Sequence, residues 1–514
     1  MSPSLMTFQV FFTIICLFLA VYRVRQKSSS NLSFPPGPKG LPVLGNLLDL
    51  DGSQPWISFT QWASTRGNVV YCRLFGRQII VLQSQEVAKA LLENRSSIYS
   101  DRPPLYSTKA TGSEFNSAQL RYSDEWRLHR RIFHQSFRPE AAKDYLPLQL
   151  RKARQLLQGI IEAPERYQRH IELFASSVIM SAVYDYEAKP NDDPLLLAAE
   201  KAIKVFIELA SPQTSAILES FPFLLRLPSW LPGASLKRLA IQSQRNATAM
   251  VNIPFHYARE RAMTATSNQC MISESFKRLE TRGNADEFEL ALKSSSATAF
   301  IAGVETTAST LTIFVLAMML YPDVQKRAQE EIEAVVGDQL PTFEDRPSLP
   351  YVEAVLRETL RWHPVFPLGL PHYTTDSDVY NDHYIPKGAV VMANIWAMSK
   401  DEIKYPNPDE FKPERFFTAD GHLNDDTVDF PFGFGRRVCV GKYFADASLW
   451  ISIVSLLATF RFMRPLDNEG KEVDPVFQWS TGLISHPKSL PCRVVPRYPD
   501  MTARKLADVI DVST

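Results

Sequence analysis

The chain has 514 residues, with 56 basic and 56 acidic side chains and a formal net charge of zero. That balance argues against bulk nucleic-acid binding, which needs a strong basic field, while the length is ample for a core that encloses a ligand. The five cysteines include no Cys-x-x-Cys pair, so the chain is neither a disulfide scaffold nor a zinc site.

Leu5 to Tyr22 (LMTFQVFFTIICLFLAVY) carries no charged side chain and is long enough to cross a bilayer as a helix, which takes roughly 17–25 residues. Arg23, Arg25 and Lys27 follow at once and place the next part of the chain on the cytosolic side. Residues 1–4 carry no charged side chain and Ala20-Val21-Tyr22 is a poor cleavage site, so a retained anchor is expected rather than a signal peptide. With a cytosolic domain, the glycosylation triplets beginning at Asn31, Asn94 and Asn246 are chance matches. Phe34 to Pro42 is a stiff proline-rich hinge, because proline fixes φ and keeps its predecessor extended. The expected division is an anchor with basic flank over 1–27, a hinge over 28–45, and one large domain over 46–514.

Residues 68–83 alternate around Phe75-Gly76-Arg77, which predicts a β-hairpin. From residue 85 the periodicity is mainly helical: 86–94, 124–137, 146–160, 193–210, 286–321, 322–335 and 350–361. Strand-like stretches return at 370–392 and 472–495. Strands at both ends with helices between predict one α+β, mainly α-helical unit.

Trp126 and Arg130 lie one helical turn apart and share a face. The run 286–321 lacks proline and is closed by Pro322; at its middle Gly303, Glu305, Thr306 and Thr307 interrupt an apolar helix. An unpaired carboxylate in such a helix is costly, and local rules are broken where function resides. Gly303 and the hydroxyls weaken the backbone ladder, which predicts a bulge flanked by the Glu305 acid and the Thr306 hydroxyl. Glu358 and Arg361, at i and i+3, can pair, and Arg415 lies in Pro413-Glu414-Arg415-Phe416.

The most demanding string is Phe432-Gly433-Phe434-Gly435-Arg436-Arg437-Val438-Cys439-Val440-Gly441. Its glycines let the backbone turn tightly against a flat cofactor. The stretch from Lys442 reads as a helix, so Cys439 sits by its N-terminus, where the dipole favours a thiolate. A thiolate on heme iron donates electrons and favours O–O cleavage. Arg437 is placed to pair with a propionate.

This string resembles the heme-binding loop of the cytochrome P450 family, and the other motifs follow in that family's order. Glu305–Thr306 is similar to its acid–alcohol pair, and Glu358, Arg361 and Arg415 to its buried ionic triad. The resemblance spans nearly the whole chain from the anchor to Arg497. It implies the family's helical prism with small β-sheets, one N-terminal transmembrane helix, and heme b (iron protoporphyrin IX) with Cys439 as axial metal ligand. Cofactor contacts are expected from Trp126, Arg130, His372, Phe432, Arg437, Cys439 and Gly441. Phe300, Ala302, Val365, Phe366, Leu368 and Leu483 are expected to line a lipophilic substrate pocket.

Stretches such as Phe366-Pro-Leu-Gly-Leu-Pro-His372 and Asp382-His-Tyr-Ile-Pro386-Lys-Gly-Ala look most like fungal microsomal members, often found in natural-product pathways. That implies a single-pass protein of the endoplasmic reticulum membrane, cytosolic in its catalytic domain. It carries no flavin or dinucleotide fingerprint of its own, so NADPH–cytochrome P450 reductase, with cytochrome b5 as a possible second donor, is the expected partner. Arg127, Arg131 and Lys442 form the expected basic docking patch. The activity implied is monooxygenation of a lipophilic small molecule. The alternatives are a heme-thiolate isomerase or peroxide-driven oxidase, and a non-catalytic heme-binding membrane protein.

Overall fold

The hairpin forms as β1 (Val69–Leu74) and β2 (Arg77–Leu82), paired antiparallel, with Gly76 at φ 80 in the turn. β2 then pairs parallel with β4 (Val390–Ala393), and β4 antiparallel with β3 (His372–Tyr373), giving the order β1-β2-β4-β3. Ile79 to Leu82 are all buried, as expected of a central strand covered on both faces. This computed structural model describes residues 32–512, apart from 190–192, 210–213, 215–216, 220, 232–233, 265–267 and 280–284. The expected anchor over 5–22, its basic flank and the start of the hinge lie outside the described residues.

Helices make up most of the rest of the body, beside three two-stranded sheets; among them are α1 (Asp124–Phe137), α2 (Leu146–Glu162), α3 (Tyr167–Tyr184), α4 (Ser235–Ala262), α5 (Ala285–Leu320), α6 (Pro350–Trp362) and α7 (Lys442–Thr459). Their ends follow local chemistry. The Ser123 hydroxyl accepts the Trp126 N–H at the start of α1, and Asp124 and Glu125 complement the dipole there. α6 begins at Pro350, and the Glu331 carboxylate accepts the N–H groups of Tyr351 and Val352 at 2.8 and 2.9 Å.

α5 is the axis of the fold and packs along α3. It is long and apolar enough to cross a membrane, but 72% of its most apolar window is buried inside the domain. A helix that is apolar all round belongs in a core. α3, α5 and α7 supply most of the main hydrophobic cluster, including Phe174, Phe314 and Trp450.

The expected bulge in α5 does not form: the helix is unbroken α from Ala285 to Leu320. Gly303 instead lets α3 approach, since a Cβ there would lie 3.1 Å from Ile179 Cγ1. The Thr306 hydroxyl donates to the Ala302 carbonyl at 2.7 Å, so the ladder is supported rather than opened.

Candidate active site

The loop before α7 is built by its own backbone. Cys439 N donates to Phe432 O at 2.7 Å, which closes residues 432–439 into a ring. Gly433 (φ 83) and Gly435 (φ 59) occupy the left-handed region. A Cβ on Gly435 would also fall 2.0 Å from Leu92 O, so only glycine lets the loop seat on that turn. Gly441 differs from expectation: its φ is −92 and nothing lies within 4 Å of an added Cβ. It does not line the chamber, and its contribution is the backbone N–H that bonds the Cys439 sulfur and lowers that thiol's pKa.

Above this loop lies a chamber of about 310 Å³, lined by Cys439, Phe432, Arg437, Trp126, Arg130, His372, Ala302, Thr306, Val365 and Phe366 among others. Chain segments far apart in sequence therefore meet here, among them α1, the centre of α5, the turn after α6, β3 and the cysteine loop. Cys439 is open to the chamber but otherwise enclosed. Enclosure raises its thiol pKa, opposed by the Gly441 N–H and the charges of Arg130 and Lys442. A coordinated cation completes the deprotonation of such a thiol.

The chamber wall is cationic on one side. Arg437 donates from Nε to Ser100 O (2.7 Å) and from Nη2 to Leu120 O (2.9 Å), stacks 4.2 Å over the Trp126 ring, and leaves Nη1 buried without a partner. Burial pushes its pKa down to about 10. Arg130 donates to Val438 O at 2.6 Å and is likewise lowered by burial. Arg102, which sequence reasoning missed, also lines the chamber; it donates to Ala118 O, Leu370 O and Pro371 O. Burial, and then the charge of Arg437, pushes it down to about 9. No carboxylate lines the chamber among the described residues. Buried guanidiniums with only carbonyl partners call for an anion. A heme, with two carboxylates at one edge and iron for the sulfur, matches that demand.

His372 is buried in the same wall, and its Nδ1 donates to Tyr99 O at 2.8 Å. Burial, then the charge of Arg102, pushes its pKa down to about 3. In this neutral tautomer Nε2 is an acceptor, so His372 bonds a carboxylate only after taking up a proton. The nearby arginines bear the main charge complementarity.

Three expected pocket residues are elsewhere. Phe300 is 1% exposed and packs in the main core, because its position on α5 turns it away from the chamber-facing Ala299, Ala302 and Thr306. Leu368 joins the small cluster on the sheet with Val70, Ile79 and Val390. Leu483 lines a second cavity of about 190 Å³, whose wall residues Arg102, Ala118 and Leu370 also face the chamber. Glu305 does not line the chamber; it faces outward, 3.9 Å from His486 Nδ1.

Behind the loop, Arg361 grips Glu358 with two bonds, Nε to Oε2 at 2.6 Å and Nη2 to Oε1 at 2.8 Å, and Arg415 Nε reaches Oε1 at 3.0 Å. Glu358 and Arg361 are completely buried. The expected basic patch is weaker than its sequence suggested. Arg127 is paired with Asp124 and Lys442 with Asp429 (2.7 Å), while Arg131 and Arg436 are exposed.

The model of the cytochrome P450 family matches residues 35–491. The chain is 36% identical to cytochrome P450 monooxygenase COX2 of Coprinopsis cinerea, over 94% of this chain and 93% of that one. It is 35% identical to cytochrome P450 monooxygenase claR of Ampulloclitocybe clavipes (96% and 92%), and 34% identical to the tryptamine 4-monooxygenase of Psilocybe cyanescens (94% and 97%). Likeness of this extent, together with a cysteine loop facing a cationic chamber, establishes that the chain belongs to the cytochrome P450 family, as a monooxygenase whose cofactor is heme b held through a cysteine thiolate.

Proposed function

We propose that this monooxygenase oxidises a neutral, lipophilic small molecule of fungal secondary metabolism, drawing electrons from NADPH through a membrane-bound diflavin reductase. The observation that carries the reading is the chamber itself, where Cys439 and Thr306 share one enclosed space with Val365, Phe366, Leu360 and Ala299. Such a pocket, mostly apolar with few polar groups, suits a lipophilic ligand. Its lack of a carboxylate leaves a cationic amine without a counter-ion. A neutral terpenoid, polyketide or aromatic compound fits better. The fungal relatives, and the charge-free stretch Leu5–Tyr22 with its basic flank, support placement on the endoplasmic reticulum membrane.

When bound, the heme supplies thiolate-promoted cleavage of the O–O bond. Cys439 is the residue to hold its iron, and Arg102, Arg130 and Arg437 are those to hold its carboxylates, with Trp126 supporting Arg437. Val365, Phe366 and Ala302 exclude water and orient substrate. The Thr306 hydroxyl gives its proton to Ala302 O, so its lone pairs are free to accept from a chamber water. Turning that hydroxyl off Ala302 O lets Thr306 hand a proton inward. Thr306→Ala is expected to lower product formed per NADPH about tenfold, with peroxide released in its place; unchanged coupling would remove Thr306 from the proton path.

The reading is tested by co-expressing the chain with a diflavin reductase and supplying paired panels of neutral and cationic aromatic or isoprenoid compounds. Hydroxylated products should form from neutral members only, and only with NADPH, reductase and oxygen present. Turnover driven by peroxide without NADPH would support a peroxide-driven oxidase instead.

A further inference from the structure

The outward side of Glu305 is organised by a hairpin distant in sequence from α5. β5 (Gln478–Trp479) and β6 (Pro487–Lys488) pair antiparallel and bring His486 over α5. Among the described residues, His486 is the one basic group within 4.0 Å of the Glu305 carboxylate, at 3.9 Å. Both side chains are partly open, 26% and 29% exposed, and neither lines the chamber.

The imidazole is held in a defined tautomer. The Ser480 hydroxyl donates to Ile484 O at 2.8 Å and accepts the His486 backbone N–H at 2.9 Å. Its one proton is thus used, so the 3.2 Å contact with His486 Nδ1 requires Nδ1 to be the donor. Nδ1–H is therefore donated to the Ser480 hydroxyl and must turn from it to reach the Glu305 carboxylate, 3.9 Å from Nδ1, and Nε2 is free to accept.

We infer that His486 is a positioning and proton-relay residue for Glu305, taking a proton at Nε2 from hydronium in the solvent, which leaves as water, and passing the one on Nδ1 to the Glu305 carboxylate. One N–H bond forms at Nε2 as one breaks at Nδ1, and the ring stays neutral throughout. Exchange with solvent restores the starting tautomer. The inference rests on the reading of Glu305 and Thr306 as the proton path of the monooxygenase.

The electrostatics around the pair suit such a transfer. Burial, and then the negative charge of Glu172 on α3, raises the Glu305 pKa. Burial, and then the charge of Lys488, pushes His486 down to about 4. The raised carboxyl pKa makes Glu305 the better proton acceptor, and the lowered imidazole pKa keeps His486 from holding a second proton, so a proton entering at Nε2 is passed on rather than kept. Of the other charged groups nearby, Glu172 pairs with Arg169 at 3.2 Å and Arg169 with Glu200 at 2.6 Å, while Lys488 on β6 is exposed and forms no ion pair with Glu305. His363, which feels His486, is a neutral chamber-wall group pushed to about 3 by burial. None of these offers Glu305 a competing proton donor as close as His486.

The test uses the full-length heme-loaded enzyme with a diflavin reductase and 7-ethoxycoumarin as a neutral lipophilic probe. NADPH consumption is followed in ordinary and heavy water for the parent, His486→Gln, Glu305→Gln and the double variant. Glutamine keeps the polar contact but cannot exchange tautomers. His486→Gln is expected to slow NADPH consumption about threefold or more and to raise the solvent isotope effect about twofold. The double variant should be no worse than Glu305→Gln alone, because the two residues act in series.

An infrared titration supplies a readout that a purely structural role would not move. The protonated-carboxyl band that Glu305→Gln removes should shift its midpoint in His486→Gln. A parental isotope effect with an unmoved midpoint, or additive losses in the double variant, would overturn the inference. If His486→Gln fails to load heme, Ser480→Ala, which frees the ring, should give the same changes in smaller measure, and no change there would also overturn it. If the parent enzyme consumes no NADPH with a reductase, the functional reading fails, while the infrared titration still decides whether His486 governs Glu305.

Discussion

Cys439→Ala should abolish the red-shifted ferrous–carbonyl absorption of a thiolate-bound heme and cut monooxygenase activity by at least about a thousandfold, the scale on which an indispensable group acts. The fold should survive the change. The loop is closed through the Cys439 backbone N–H to Phe432 O, which alanine keeps, and the sulfur itself opens into the chamber rather than packing in the core. Arg102, Arg130 and Arg437 remain in place to hold an anionic cofactor, so heme uptake should fall far less than activity. A variant that kept the thiolate-type spectrum would show that another group holds the iron. Cys72, Cys270 and Cys492 are the other described cysteines, and none of them lines the chamber.

Glu358→Ala should be the most damaging substitution for stability. Glu358 accepts two bonds from Arg361, one from Arg415 and one from the Lys412 backbone N–H at 2.8 Å. Arg361 is completely buried and Arg415 nearly so, at 6% side-chain exposure. Removing the one carboxylate leaves two buried guanidiniums facing each other, which costs about 3–5 kcal/mol. That is a large share of the roughly 5–15 kcal/mol that a folded domain has in hand. The expected result is a loss of folded, heme-containing protein on expression and a lowered thermal midpoint in whatever remains. Replacing all three members by apolar residues of similar volume should be milder than the single change, because no charge is stranded. A single variant as stable as the parent would mean that water or another acid reaches the pair.

Local signals located most of the helices. The limits read for 124–137 match α1 residue for residue, since Ser123 caps it and Pro139 ends it. Pro322 and Pro350 likewise marked a helix end and a helix start. α3 and α4 were missed. α3 is buried on nearly every side, so it lacks the polar stripe that makes a helical period visible, and α4 carries an internal proline, Pro254. The bulge expected at Gly303 was a local inference from weakened backbone bonding. The neighbouring Ile179 gives that glycine a packing role instead.

The site divides in the same way. Cys439, Thr306, Arg437 and the Glu358–Arg361–Arg415 network were legible because each is a fixed pattern of chemically unusual residues within a short span. Arg102 left no such mark: a lone arginine before Pro103-Pro104 is unremarkable until the fold buries it beside Arg437 with only carbonyl partners. His486 gave no signal either, because its relation to Glu305 spans the distance from α5 to a hairpin near the chain's end.

The order of residues alone thus located the loop cysteine and the hydroxyl that the fold brings to the chamber, the ionic network and the family, since backbone turns, helix caps and charge spacing act over a few positions. Only the tertiary structure decided which apolar side chains line the chamber and which merely pack. Burial also set which guanidiniums have only carbonyl oxygens as hydrogen-bond partners and which way Glu305 points. Those outcomes depend on helices brought together from distant parts of the chain, and on the desolvation that follows when they close.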